Sequence, residues 1–148
     1  MATEITEAAR AEAEAIAWRV FRSFEAANDN ATAPFRCRRD EELAQAERAR
    51  DEAVNAARLA RDEAYEAARR ARDEASVPDI RAYEDAVQTA RYAYEAAKTQ
   101  AWWVYSETRD DILRRYNEAV ADINQAYLAM AGRAYAEAYE RALAVRHA

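Results

Sequence analysis

The sequence predicts an all-α fold: an elongated antiparallel helical hairpin or coiled coil with 11-residue (hendecad) repeats, preceded by a shorter N-terminal helix. Three observations predict it. Five tyrosines, Tyr83, Tyr94, Tyr105, Tyr116 and Tyr127, stand at 11-residue intervals, and the same phase carries Arg39, Arg50, Arg61 and Arg72. Eleven residues span three turns at about 3.67 per turn, close to the ~3.6 of a straight α-helix, so a stripe with this period stays almost on one face. Among 148 residues there are one glycine and two prolines, while Ala, Glu and Arg, which cost little inside a helix, dominate.

Residues 1–36 read as an N-terminal helix and loop. The helix is expected from about Glu4 to Ala27, with Thr3 as N-cap and Ile5, Ile16, Val20, Phe21 and Phe24 as bulk, Trp18 lying on a flank. The segment from Asn28 to Pro34 combines locally hydrogen-bonding side chains with a proline, the signature of a loop.

Residues 37–148 read as the repeat hairpin, with helices over about 38–75 and 79–145. From Arg39 the units align without a gap as RDEELAQAERA, RDEAVNAARLA, RDEAYEAARRA, RDEASVPDIRA, YEDAVQTARYA and YEAAKTQAWWV, then degenerate. Alanine recurs at the fourth, eighth and eleventh positions, for instance Ala53, Ala57 and Ala60, and these positions are expected to form a narrow packing seam. The fifth position (Leu43, Val54, Tyr65, Val87, Val120), the first-position tyrosines and, further along, Ile112 and Ile123 complete an apolar stripe. Small residues let helix axes approach to the near end of the ~8–10 Å packing range. The 11-residue period implies straight or weakly right-handed packing in place of the left-handed heptad crossing.

Ser76, Pro78 and Asp79 mark the break, since proline inside a helix costs about 3 kcal/mol and Ser76 with Asp79 resembles a capping box. A tight hairpin turn is expected here over a kinked continuous helix, and the repeat phase preserved across Pro78 argues for the latter. The hairpin pairs residues 39–75 antiparallel with about 80–116. The bulky end of the last helix, including Tyr135, Tyr139 and Leu143, should receive Ile16, Val20, Phe21 and Phe24 from the same chain or a neighbour.

The formal charge of −6 is built from interleaved acids and bases, which excludes the basic face a nucleic-acid binder needs. The short basic run from Phe35 to Arg39 is followed at once by Asp40, Glu41 and Glu42. A single cysteine, Cys37, expected in the loop, leaves no intrachain disulfide or multi-cysteine metal site. With no leader pattern and no long apolar run, a cytoplasmic protein is expected. The lone histidine, His147, sits next to the C-terminal residue, where a general base is poorly held, and the Glu-x-x-His signature of di-iron bundles is absent. Glu107 with Asp111 and Glu118 with Asp122 form carboxylate pairs at i, i+4, too few ligands for a hard cation. One glycine cannot build a phosphate-binding loop. No catalytic residue, cofactor or metal is expected. Trp102 and Trp103 point about 100° apart, so one must cover a flank or a partner helix.

The expected function is therefore non-enzymatic: a self-associating helical rod acting as scaffold, spacer or assembly module, a homo-oligomer, dimer or higher, through its alanine seam and aromatic flanks. In period alone, over about 39–127, the sequence resembles exchangeable apolipoproteins and late-embryogenesis-abundant proteins, which implies the alternative of reversible lipid or partner surface binding. Scarce lysine and a mostly alanine stripe weigh against a membrane surface. The charged 11-residue pattern also resembles the peripheral-stalk helices of rotary ATPases, which implies right-handed packing of alanine-rich seams. An acidic inhibitor of a basic partner is the further alternative, diluted by the interleaved arginines.

Overall fold

The computed structural model describes residues 5–145. Two long α-helices pack against each other, α1 over Glu7–Glu74 and α2 over Ile80–Val145, and no strand occurs among the described residues. The chain is thus an all-helical hairpin.

Each helix begins on a side-chain cap. Thr6 Oγ1 accepts from the N–H of Ala9 at 3.2 Å and its carbonyl accepts from Arg10 at 3.1 Å, so Thr6 opens α1. Thr3 and Glu4, expected at this start, lie outside the described residues, as does His147. For α2 the cap is Asp79, whose Oδ1 accepts from the N–H of Ala82 at 3.0 Å and whose carbonyl accepts from Tyr83 at 3.2 Å. Asp79 therefore stands at the N-cap itself, not at the far end of a capping box begun by Ser76. Residues 75–79 form the turn, with Pro78 placed just before the cap, where its missing N–H disrupts no helical bond.

The loop expected from Asn28 to Pro34 is helical, and α1 continues through it, so Cys37 and the basic run before Asp40 sit within a helix. Pro34 lacks the N–H that would bond the carbonyl of Asn30, and its ring crowds that turn. Side chains supply donors there. The buried Thr32 hydroxyl is shared between the carbonyls of Asn28 (3.0 Å) and Asp29 (3.3 Å). Arg36 reaches back along the helix, donating from Nη2 to the Asp29 carbonyl at 2.9 Å and from Nη1 to Thr32 Oγ1 at 2.7 Å. Thr32 and Arg36 thus brace the turn beside the bond that Pro34 removes.

The chain divides into two compact units. A central unit holds residues 40–113 and a terminal unit holds 1–39 with 114–148. In the central unit the buried apolar residues are Ala46, Ala68, Ala90, Ala101 and Ile112, all at the eighth repeat position. In the terminal unit Ala9, Ala13 and Ala17 of α1 and Val120 and Ala131 of α2 are buried. There Trp18 meets Tyr135 edge-on at 5.2 Å and Phe21 at 5.3 Å, while Tyr135 stacks parallel to Tyr139 at 6.4 Å. The bulky ends of α1 and α2 thus meet within one chain.

Candidate functional site

The tyrosines at the first repeat position are half-buried, and each from Tyr83 to Tyr116 carries an arginine of α1 on its ring. Arg72 lies over Tyr83 at 4.5 Å, Arg61 over Tyr94 at 4.4 Å and Arg50 over Tyr105 at 4.5 Å in the central unit. Arg39 lies over Tyr116 at 4.4 Å in the terminal unit. In every pair the two residue numbers add to 155, which defines one antiparallel register. First-position arginine and tyrosine face each other across the helix interface. A guanidinium over an aromatic face gains roughly 0.5–2 kcal/mol according to its desolvation.

The Arg-Asp dipeptide that opens the early units has a matching role. Arg50 donates from Nε to Asp51 at 3.0 Å, Arg61 to Asp62 from Nη2 at 3.0 Å, and Arg72 from Nε to Asp73 at 3.1 Å. The neighbouring carboxylate orients the guanidinium while the opposing ring takes its face. These hydrogen bonds push Arg50 and Arg61 above the ordinary arginine range, against the desolvation that lowers them. Exposure of the arginine side chain falls from 35% at Arg72 to 26% at Arg61 and 17% at Arg50, so the electrostatic gain should be largest at Arg50. Arg50 is the most covered because Trp102 adds a second aromatic face at 4.3 Å, itself edge-on to Tyr105 at 5.9 Å. Further cations, Lys98 at 5.5 Å from Tyr94 and Arg109 at 5.9 Å from Tyr105, approach from one turn along α2.

The same phase continued toward the N-terminus places Asn28 opposite Tyr127, where arginine is missing. Asn28 Nδ2 donates to Asn124 Oδ1 at 3.0 Å, and its own buried Oδ1 has no partner. A cleft of about 190 Å³ opens beside it, lined by Phe21, Phe24 and Tyr127 among others.

Of the other residues expected at the packing interface, Leu43, Val54, Tyr65, Val87 and Ile123 are half-buried, and Ile112 and Val120 are buried. The alanines divide. Those at position eight are buried or half-buried, whereas those at four and eleven, such as Ala53, Ala60, Ala64, Ala71, Ala86 and Ala93, are exposed. The correction is geometric: with about 98° per residue, positions five and eight flank position one at roughly 33° on either side, and four and eleven lie roughly 65° and 98° away on one side only. Position seven lies beyond them on the same side. From Gln45 to Val104, positions four, seven and eleven carry no charged residue, and all are exposed. The opposite flank carries Asp51, Arg58, Glu66 and Arg69.

Both helices turn this uncharged side the same way. Ala46, Ala49 and Ala53 of α1 and Ala97, Ala101 and Val104 of α2 line one shallow groove of about 380 Å³, and Ala71, Ala75, Ala82 and Ala86 line another nearer the turn. Trp103, by contrast, points away from the seam and is 59% exposed. Comparison with protein-family models, curated proteins and solved structures finds no match.

Glu118 is held by Arg114 at 3.1 Å, and among the described residues no group of three or more His, Cys, Asp or Glu is placed to hold a metal. No helix among them is long and apolar enough to cross a membrane.

Proposed function

We propose that this chain is a non-enzymatic structural module, a hendecad helical hairpin that self-associates through its uncharged alanine face to act as scaffold, spacer or assembly element. The observation that carries this reading is the one-sidedness of the hairpin: from Gln45 to Val104, positions four, seven and eleven form an exposed, charge-free, alanine-rich surface, while the other flank is charged. Alanine surfaces permit close helix approach, and a face without charge is complementary to itself. A second copy related by a two-fold axis meets the same residues it presents, the isologous arrangement that closed dimers use. Straight or weakly right-handed packing follows from the 11-residue period.

Ala53→Glu with Ala97→Glu places like charges at the centre of this face. Sedimentation equilibrium at micromolar concentration should give a dimer or larger species for the parent chain and a monomer for the variant, both with equal helicity by circular dichroism. A parent chain that is monomeric under these conditions overturns the reading.

A further inference from the structure

The two prolines stand in equivalent places. Residues 28–38, NDNATAPFRCR, and 72–82, RDEASVPDIRA, both follow the 11-residue phase and share Asp at position two, Ala at four, a hydroxyl at five and Pro at seven. The first unit is uninterrupted helix within α1, and the second is the turn. They differ, among other positions, at the two residues that follow the proline. Arg36 supplies the donor that supports the helix around Pro34, and its counterpart is Ile80, which has none to give. Phe35 likewise corresponds to Asp79, whose side chain caps a new helix.

The register adds a second, independent observation. A hairpin places no demand on the number of residues in its turn, yet Arg72 and Tyr83 are 11 apart and face each other. Only a helix running straight through residues 75–79 needs that phase, since it alone must keep the seam on one side of a single rod. Because each pair adds to 155, a second straightened copy related by a two-fold axis would present its Tyr83, Tyr94 and Tyr105 to Arg72, Arg61 and Arg50 of the first.

We propose that the turn is a hinge for reciprocal exchange: residues 75–79 straighten into helix as residues 28–38 already do, and two copies trade α2 to form an antiparallel dimer with the same arginine–tyrosine contacts between chains. Every contact of the central seam is conserved in the exchange, and only the turn changes. The exchange uses the seam and not the outer alanine face, so it stands apart from the association proposed above.

The test is made in the Ala53→Glu, Ala97→Glu background, which removes association through the alanine face. Pro78→Ala with Ile80→Arg removes the ring and supplies the missing donor. Taking one interior proline out of each chain should shift the monomer–dimer equilibrium by roughly 100-fold per chain, or about 10,000-fold, toward dimer. Light scattering should then report twice the monomer mass. Inserting two glycines between Ser76 and Val77 in the same variant leaves a hairpin possible but destroys the phase, and the mass should return to that of one chain. A variant that stays monomeric at unchanged helicity, or a dimer that survives the glycine insertion, overturns the proposal.

Discussion

Arg61 lies 4.4 Å over the ring of Tyr94, and the pair is reproduced by Arg50 with Tyr105 one repeat earlier in α1 and one repeat later in α2. Each guanidinium is steered by the aspartate that follows it, through contacts of 3.0 Å in both cases. The interface thus combines a polar, directional contact at its centre with small buried alanines beside it.

Arg72→Ala should destabilise the hairpin slightly, and Arg50→Ala should cost roughly twice as much, because the Arg50 guanidinium lies on both Trp102 and Tyr105. Urea unfolding checks both. Arg50→Lys should recover only part of the loss, since an ammonium cannot stack its plane on two rings. Arg50 is raised above its ordinary range, so its contribution is fully present below the unfolded-state value and is lost only as pH climbs through the folded one. The Arg50→Ala cost should be equal at about pH 6 and about pH 9, both far below the arginine range.

Asn28→Arg should stabilise the terminal unit by roughly 0.5–1 kcal/mol. It sets a guanidinium opposite Tyr127, next to Asp29, and removes the buried amide oxygen that has no partner. A higher melting temperature, absent when Tyr127→Leu is combined with it, is the expected result.

Pro34 and Arg36 should be coupled. Pro34→Ala restores a helical N–H and should stabilise by up to about 3 kcal/mol. Arg36→Ala should cost roughly 1–2 kcal/mol in the parent chain and less in the Pro34→Ala background, since its hydrogen bond to the Asp29 carbonyl braces the helix one residue before the carbonyl that Pro34 leaves without a donor. A double-mutant cycle measures the difference.

Asp79→Ala should cost about 1 kcal/mol by leaving the Ala82 N–H unsatisfied, and Asp79→Asn should recover most of it. Hydrogen exchange should show the loss concentrated at Ala82 and Tyr83.

The helical class and the turn were legible in the sequence because period and proline act over long and short range in the same direction. The segment from Asn28 to Pro34 was not, since its turn signals are local, while Thr32 and Arg36 donate to the carbonyls of Asn28 and Asp29 and brace the helix beside Pro34. Alanine frequency pointed to positions four, eight and eleven as the seam, but frequency does not distinguish a buried small residue from an exposed one. Phase does: only positions five and eight flank the first position closely, and four, eleven and seven turn progressively outward. The facing of arginine and tyrosine carried a signal too. A turn centred between Val77 and Pro78 lies midway between Arg72 and Tyr83, so every first position in one helix falls opposite a first position in the other.

That constant sum restricts how such a molecule can change. One residue gained or lost in either helix would rotate everything beyond it by about 100° and carry each arginine off its ring. Between Arg39 and Tyr116 these four contacts therefore survive only changes of eleven residues made to both arms together.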